Sequence, residues 1–268
     1  MTSHVLMDFN RNVGGPEAPL HWRPGPPRPS LADNQVHLWL ARLDLPRAGS
    51  LWGTLSEDEK TRARRFYFSR DRERFIATRG LLRAILGRYL GQEPASLRFR
   101  YGPHGKPYLA PGGDALDLRF NLSHSHNLAL YAVAHGREVG VDLERVRFDE
   151  TAMEIATQFF STRELAALQA LPERTRTETF FKYWTVKEAY LKAKGEGLGG
   201  EFEKFIVRLE DGRAEVLQTD ADQLEEERGA WEINVSEPMP GYVAALAAAG
   251  RGWHLKAWGW RASEKGTC

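Results

Sequence analysis

The chain has 268 residues, with 37 Lys and Arg against 36 Asp and Glu, so its formal net charge is +1. A hydrophobic content of 42% can build the core of one large domain or of two modest ones. The near-neutral charge argues against a partnership of the whole molecule with nucleic acid or an anionic membrane. The single cysteine, Cys268, excludes an internal disulfide and a thiolate metal site.

The sequence shows no segment that could cross a membrane or direct export. The longest apolar stretch, 242–249, is far shorter than the roughly 20 residues that a membrane-spanning helix needs. Asp8, Asn10 and Arg11 interrupt the N-terminus before an apolar export signal can form. We therefore expect a soluble, cytoplasmic protein.

The chain begins with a proline-rich stretch and continues with a strand and two helices. Residues 1–34 contain six of the fourteen prolines and have no helical period, so we expect an extension on the surface, or a disordered one, without helix or ladder. Alternating apolar residues predict a first strand from Val36. Ser56 and Glu59 have the spacing of a capping box at a helix start. Apolar residues at helical spacing then predict a longer helix over 71–90, which the following glycine ends.

Short strands follow, and beyond residue 147 the pattern of helices and then strands starts again. This order predicts an α+β fold of two similar halves, a pseudodimer in which each half packs a long helix on a small, mainly antiparallel sheet. We expect an extension over 1–34, a first half over 35–146, a second half over 147–262 and a tail over 263–268. The other predicted strands are 97–101, 118–122, 128–134, 138–144, 205–209, 231–235, 242–247 and 253–258. The predicted helices of the second half are 151–160, 162–170 and 177–194.

Charge is distributed unevenly between the halves. Residues 60–100 contain twelve basic and three acidic side chains, whereas residues 211–232 are rich in acids. The first half could therefore bind an anion. Each charged run could equally be a solvated helix or loop.

Two acidic residues, Asp142 and Glu144, lie at the end of a predicted strand. Residues two apart in a strand point to the same face, so the two carboxylates stand side by side and need a compensating charge. A hard divalent cation with oxygen ligands, such as Mg²⁺, would supply it. The alternative is an ordinary solvent-facing strand end.

Trp184, Glu188 and Lys192 lie one turn apart on one face of the predicted helix 177–194. A glutamate held beside a bulky aromatic ring could bind a metal or accept a proton. The alternative is an ion pair on a surface helix, which is worth only about 0.3–0.5 kcal/mol.

Two further segments could bind phosphate. Ser123, His124 and Ser125 offer hydroxyl, ring and backbone donors after a strand, unless they form a polar turn that satisfies its own backbone. No other His or Cys is spaced to complete a transition-metal site with His124 and His126. Lys106 presents a point charge after a glycine-rich turn. The spacing of a phosphate-binding P-loop is absent.

Together, these motifs resemble the 4′-phosphopantetheinyl transferase superfamily in its longer, Sfp type. The segments that carry the resemblance are KxRxxRF (60–66), GKP (105–107), NLSHS (121–125), GVDLE (140–144) and WTVKEAYLK (184–192). The resemblance spans roughly residues 36–260 and leaves the first 34 residues unexplained. The apparent duplication agrees with the long, monomeric pseudodimer of this family rather than with its short, trimeric type.

The resemblance implies a reaction and roles for the acidic residues. Coenzyme A is split at its pyrophosphate, its phosphopantetheine arm passes to a serine of an apo acyl or peptidyl carrier protein, and adenosine 3′,5′-bisphosphate leaves. Asp142, Glu144 and Glu188 are expected to hold Mg²⁺, or Mn²⁺ in its place. Glu188 is also the expected acceptor of the serine proton, and Lys192 is expected to stabilise the leaving bisphosphate.

The resemblance also implies that coenzyme A lies in the cleft between the halves. Arg74 and Arg79 are expected at the 3′-phosphate and adenine, with Arg79 preferred over Arg83, and Lys106 is expected near the adenosine end. The full set of expected coenzyme A contacts is Lys60, Arg62, Arg74, Arg79, Lys106, Ser123 and His124.

The carrier protein is the expected macromolecular partner, and neither nucleic acid nor membrane is expected. Its docking surface is expected near the start of the second half, at Phe159, Phe160, Arg163 and the stretch to Thr179. The core is the preferred alternative for both phenylalanines.

Two other functions would use the same residues. A metal-dependent hydrolase could cut a nucleotide pyrophosphate with water, but no additional water-activating residue is visible in the motifs. A non-catalytic coenzyme A-binding module would tolerate loss of Glu188 or Lys192, and both are present.

Overall fold

Two five-stranded sheets and two 22-residue helices organise the computed structural model of the chain. The structure describes residues 20–43, 48–110, 117–147, 151–197, 202, 205–218 and 230–260. The helices are α1 (Ala48–Leu51), α2 (Glu57–Arg64), α3 (Ser69–Leu90), α4 (Ala152–Phe159), α5 (Thr162–Gln169) and α6 (Glu173–Lys194), with 3₁₀ turns at Trp52–Thr54 and Pro94–Ser96. The strands are β1 (Arg23–Pro24), β2 (Gln35–Arg42), β3 (Phe99–Tyr101), β4 (Pro107–Leu109), β5 (Leu118–Ser125), β6 (Leu128–His135), β7 (Val139–Arg145), β8 (Phe205–Glu210), β9 (Arg213–Gln218), β10 (Trp231–Ser236), β11 (Tyr242–Ala249) and β12 (His254–Gly259).

The first sheet is mixed and the second is antiparallel throughout. The first has the order β1-β12-β2-β6-β5, in which β12 runs parallel to both of its neighbours. The second has the order β7-β11-β10-β9-β8, and every pair in it is antiparallel. Strands β3 and β4 form a separate antiparallel pair.

The buried side chains define four layers, in the order α3, first sheet, second sheet, α6. In β2, Leu38 faces the second sheet while its neighbour Trp39 faces α3. In β7, Val141 and Leu143 face the first sheet, so Asp142, which lies between them, faces α6. The expected α+β fold of two halves, each with a long helix on a sheet, is confirmed.

The two long helices are built alike. In each, the fifteenth of 22 residues is a fully buried cation, Arg83 in α3 and Lys187 in α6. Each cation pairs with the buried glutamate of a capping box on the preceding helix, Glu59 for Arg83 at 2.6 Å and Glu164 for Lys187 at 3.1 Å. Gly91 ends α3 at a φ of 62°, as expected.

No helix within the described ranges is both long and apolar enough to cross a membrane.

The sheets divide the chain differently from the boundary expected at residue 146. Strand β7 lies before that boundary but belongs to the second sheet, and β12 lies after it but belongs to the first sheet. The two halves are therefore interleaved at both of these points. As a result β5 and β7 are edge strands of different sheets, and they lie next to each other.

The proline-rich stretch corrects one expectation. Arg23 and Pro24 pair with Trp258 and Gly259 of β12, so the expected absence of a ladder in residues 1–34 is wrong for these two positions. Proline is tolerated there because β1 is the edge of its sheet, where a missing N–H costs no ladder bond. Residues 1–19 and the expected tail over 263–268 lie outside the described residues.

Besides β1, two strands, β4 and β9, were not predicted. In β9 the apolar residues Ala214 and Val216 pack against the core, and they alternate with Arg213 and Glu215. This alternation is the two-residue period of a strand, but the segment was interpreted by its charge, as part of the acid-rich run 211–232 that could be a solvated helix or loop.

Candidate active site

The edge strands β5 and β7 meet along a seam of side-chain hydrogen bonds. Ser123 Oγ donates to Asp142 Oδ1 at 2.8 Å, and Ser125 Oγ donates to Glu144 Oε2 at 2.9 Å. The two serines are two residues apart, as are the two carboxylates, so both pairs lie on the same side of the seam. The serine hydroxyls therefore orient the two acids that the sequence singled out.

Helix α6 brings a third carboxylate, Glu188, to the same place. The helix lies directly on β7, because a Cβ atom on Gly140 would overlap the Ala189 carbonyl oxygen. Lys192 Nζ lies 2.6 Å from Asp142 Oδ1 and 3.8 Å from Glu188 Oε2. One ammonium group thus bridges an acid of the strand and an acid of the helix, and the two acids face each other.

This carboxylate cluster of Asp142, Glu144 and Glu188 holds more negative than positive charge. Burial, followed by the Asp142 carboxylate, raises the pKa of Glu144 to about 7, although Ser125 and Lys192 oppose the rise. Burial also raises the pKa of Glu188 to about 7, because the neighbouring Lys192 offsets it only in part. Burial acts against the ammonium of Lys192, but the nearby carboxylates outweigh it and raise the pKa of this lysine.

The donor set fits a hard divalent cation. The candidate ligands are carboxylate oxygens, and Asp142 Oδ2 is buried without a hydrogen-bond partner. Within the residues that the structure describes, no three His, Cys, Asp or Glu side chains are already arranged around a metal position. Lys192 Nζ lies between two of the carboxylates instead. The cluster therefore has the chemistry of a Mg²⁺ site and uses the lysine as its internal counter-ion.

A cavity of about 670 Å³ lies on the first-half side of this cluster. Its volume is in the usual range for small-molecule sites. Four of the predicted coenzyme A contacts line it, together with aromatic rings and three acidic side chains. The residues that line it are Asp58, Glu59, Arg62, Phe66, Asp71, Arg74, Phe75, Thr78, Arg79, Tyr101, Gly105, Pro107, Leu122 and His124.

His124 connects the cavity to the carboxylate cluster. It lines the cavity and follows Ser123, whose hydroxyl is bound to Asp142. Desolvation at the cavity wall, then the charges of Lys192 and Arg74, lower the pKa of His124. A bound phosphate group would raise that pKa again, because it would favour the charged ring.

Arg79 lines the cavity and Arg83 does not. Both guanidinium groups contact Glu59, at 2.7 Å from Arg79 Nη2 and 2.6 Å from Arg83 Nε. Arg79 also donates to Tyr101 Oη at 2.8 Å, whereas Arg83 is 1% exposed and donates to loop carbonyls. Glu59 therefore fixes the direction of Arg79 at the cavity wall.

Three predicted contacts do not line the cavity: Ser123, which donates to Asp142, and two lysines that are engaged elsewhere. Lys60 Nζ pairs with Glu57 Oε1 at 2.8 Å on α2 and does not line the cavity. Lys106 is buried, and its ammonium donates to Glu138 Oε2 at 2.9 Å and to the Ala193 carbonyl at 2.8 Å. The charge of Lys106 thus holds the glycine-rich turn to the end of α6, while its two neighbours in sequence line the cavity.

Some residues of the site were not assigned from the sequence. Thr78 and Tyr101 line the cavity, and no motif or spacing pointed to either of them. Asn121 Oδ1 accepts from the Val141 backbone N–H at 3.0 Å and so extends the seam. Its spacing of two from Ser123 was the available signal, since it places both residues on one face of β5.

The phenylalanines expected to dock a carrier protein lie in the second core. Phe160 is 5% exposed and stacks on Phe180 at 5.5 Å, so the expectation that it meets a partner is wrong. Phe159 packs edge-on against Trp184 at 6.1 Å. Arg163, on α5, is exposed.

Two family models match the chain. The one described as the 4′-phosphopantetheinyl transferase superfamily matches residues 138–247. The one described as 4′-phosphopantetheinyl transferase, N-terminal, matches residues 49–136. The border between them falls between β6 and β7, where the chain passes from the first sheet to the second.

Individual proteins match as well. The 4′-phosphopantetheinyl transferase HetI of Nostoc sp. is 44% identical over 239 residues, which are 88% of this chain and 97% of HetI. The 4′-phosphopantetheinyl transferase Sfp of Bacillus subtilis is 30% identical over 196 residues, 73% of this chain and 82% of Sfp. Among solved structures, a holo-(acyl-carrier-protein) synthase from Bacillus anthracis in complex with CoA (3′,5′-ADP) is 21% identical, covers 42% of this chain and 94% of its own, and has a TM-score of 0.35.

Proposed function

This chain belongs to the 4′-phosphopantetheinyl transferase superfamily, and on that basis we propose how its residues carry out the transfer. The phosphopantetheine arm passes from coenzyme A to a serine of an apo acyl or peptidyl carrier protein, and adenosine 3′,5′-bisphosphate is released. The observation that carries the proposal is the carboxylate cluster of Asp142, Glu144 and Glu188 beside a cavity lined with arginines.

The carboxylate cluster is the proposed Mg²⁺ site. The buried, unpartnered Asp142 Oδ2 and the raised pKa values of Glu144 and Glu188 support this role. When bound, Mg²⁺ would neutralise charge on the pyrophosphate and polarise the phosphorus under attack. Ser123 and Ser125 keep two of the carboxylates turned towards that position.

Glu188 is the proposed general base. In the metal-free protein its pKa is about 7, and a cation bound to the cluster would lower this pKa and keep the carboxylate in the unprotonated form that accepts a proton. The serine oxygen bonds to the phosphorus next to the pantetheine, and the bond from that phosphorus to the bridging oxygen breaks. The serine proton goes to Glu188, and the electron pair leaves with the bisphosphate.

Lys192 and His124 are proposed to stabilise the leaving group. Lys192 pairs with Asp142 in the free protein, and we propose that it turns to the phosphate oxygens when coenzyme A is bound. His124 lines the cavity next to Lys192 and can donate a ring N–H to the same group. Arg62, Arg74 and Arg79 would then meet the 3′-phosphate and adenine end.

One mass measurement tests the proposed function. The chain is incubated with coenzyme A, MgCl₂ and an apo carrier protein, with and without EDTA. We expect a carrier heavier by one phosphopantetheine arm and no transfer in EDTA. Free phosphopantetheine with an unchanged carrier would indicate a hydrolase, and no product at all would indicate a binding module.

The chain is further proposed to act as a monomer in the cytoplasm. Its two sheets pack on each other within one chain, which supports the proposed monomer because both halves of the site come from the same molecule.

A further inference from the structure

Exposed aromatic side chains lie on segments that also contribute residues to the wall of the cavity. Among the described residues, three large apolar side chains are exposed: Tyr67 at 91%, Phe68 at 64% and Tyr101 at 45%. Tyr101 lines the cavity, and so does Phe66, which directly precedes the other two. Exposed apolar groups that cluster in one place are typical of interaction sites.

The Tyr67 and Phe68 rings stand on a well-defined turn between α2 and α3. They contact each other edge to face, with centroids 5.0 Å apart. On one side of the turn, Phe66 packs on Phe75 with centroids 5.4 Å apart. On the other, the Phe68 carbonyl accepts from the Arg72 N–H at 3.1 Å. The aromatic pair is therefore presented to solvent by a turn that is anchored at both ends.

The surroundings of this turn are strongly basic. Residues 60–74 contain seven basic and two acidic side chains. Arg70, whose side chain is 76% exposed, and Arg72 follow the aromatic pair directly and do not line the cavity. Arg70 Nε lies 3.9 Å from Asp71 Oδ1, but this pair is exposed, so both guanidinium groups still face solvent.

The charges of this turn also act on His126, which lies beside the strand that carries two of the carboxylates. His126, in the turn between β5 and β6, accepts a hydrogen bond from Arg145 Nη1 at 3.1 Å, and Arg145 directly follows Glu144. The charges of Arg145, Arg74 and Arg70 all reach the His126 ring and, after desolvation, lower its pKa. The basic turn of the first half thus acts electrostatically on a residue that is hydrogen-bonded to β7, the strand that carries Asp142 and Glu144.

We propose that Tyr67, Phe68, Arg70 and Arg72, here named the aromatic–arginine surface, dock an acidic face of the apo carrier protein. This inference rests on the proposed function. The aromatic pair is large enough to anchor an interface, and the two arginines select a partner that carries carboxylates around its apolar contact. The second-half surface expected from the sequence lacks such an anchor, because Phe159 and Phe160 are packed in the core.

Steady-state kinetics of three variants test the docking surface. Tyr67→Ser/Phe68→Ser removes the anchor, Arg70→Glu/Arg72→Glu reverses the charge, and Arg251→Glu reverses an exposed charge in the turn between β11 and β12 as a control. We expect each surface double variant to raise the KM for the carrier about tenfold or more, and to leave the KM for coenzyme A and kcat within about twofold. We expect the control to match the parent, and added salt to raise the parent's KM for the carrier.

Other outcomes would overturn the proposal. A raised KM for coenzyme A would make the aromatic pair part of the nucleotide site. A raised KM for the carrier in Arg163→Glu, with normal values in the surface variants, would move docking to the second half. As a second measurement, a photoreactive residue at position 68 should crosslink to the carrier and one at position 251 should not. If the parent chain transfers nothing at all, the proposed function fails and not only the docking surface.

Discussion

Glu188 combines three properties that rarely occur together in one carboxylate. It is 6% exposed, it has a pKa of about 7, and it lies 3.8 Å from a lysine one turn away on its own helix. Burial destabilises the charged form of Glu188 more than the charge of Lys192 stabilises it, so the carboxylate takes up a proton near neutral pH.

Replacement of this base should stop the chemistry and spare binding. We expect Glu188→Gln to lower the transfer rate at least about 100-fold, because it removes the proton acceptor and one proposed metal ligand. Coenzyme A should still bind, since the arginines of the cavity are intact, and titration calorimetry can check this. The matched control is Glu178→Gln, an exposed glutamate paired with Lys182 on the same helix. Near-normal turnover of Glu188→Gln would show that another group takes the proton.

Binding of Mg²⁺ should release protons. Glu144 and Glu188 each have a pKa of about 7 in the free protein, so each is about half protonated at pH 7. A cation favours the charged carboxylates, so we expect release of about one proton per Mg²⁺ at pH 7 and less at pH 8.5. Calorimetry in two buffers with different ionisation enthalpies measures it. A heat of binding that does not depend on the buffer would contradict the assignment of these ligands.

At the scale of elements, the turn at residues 102–107 depends on one lysine. Lys106 holds the turn to the end of α6 through the Ala193 carbonyl and to the start of β7 through Glu138, and α6 is the helix that carries Glu188. A residue expected to bind the substrate is thus a link between the cavity wall and the catalytic helix.

Removal of this link should affect stability and coenzyme A together. We expect Lys106→Met to lower the free energy of unfolding by about 2 kcal/mol, because it leaves buried acceptors unpaired. The KM for coenzyme A should rise, whereas the KM for the carrier should stay the same. Lys182→Met, which breaks an exposed ion pair on α6, serves as the control. An unchanged KM for coenzyme A at reduced stability would limit Lys106 to a role in folding.

Local patterns predicted those parts of the site that depend on local spacing. The two-residue period of β7 puts Asp142 and Glu144 on one face, and the helical period puts Glu188 next to Lys192. The strands and turns that pack against these elements could not be predicted from local spacing. Strand β7 pairs with β11, about 100 residues later, and the sequence of either strand fits many partners. The position of Lys106 depends on the same long-range packing, which brings α6 against a distant turn.

At the scale of the whole molecule, the first half contains a titratable group in its core. His37 is fully buried, and it lies 2.7 Å from Tyr89 Oη through Nδ1. Trp39 Nε1 donates to the same phenol oxygen at 2.8 Å, so the phenol hydrogen is free to point at the histidine and hold it in the neutral form.

Acid should destabilise the fold through this histidine. Burial, and then the charge of Lys256, lowers the pKa of His37 to about 4 from 6.5, so between these values the unfolded chain binds the proton and the folded chain does not. The contribution of His37 is therefore complete above pH 6.5 and is lost as the pH falls towards 4, by up to about 3 kcal/mol. Urea unfolding of the parent and of His37→Gln, at pH 7.5 and 4.5, measures it. The parent should lose more stability than the variant, and equal losses would exclude this histidine as the cause.

The likeness of the two halves bears on how many divalent ions one chain can bind. Strand β7 runs from Val139 to Arg145, and β2 contains a segment of the same length that also runs from a valine to an arginine, Val36 to Arg42. Helices α3 and α6 both have 22 residues. At the places of Asp142 and Glu188, the first half has Trp39 and Ala84, and at the place of Lys192 it has Arg88, which lies over the Trp260 ring at 4.0 Å. In the first half, an indole ring and a methyl group thus stand where Asp142 and Glu188 stand in the second half. The proposed Mg²⁺ site therefore has no counterpart in the first half, and titration calorimetry should find one divalent ion bound per chain rather than two.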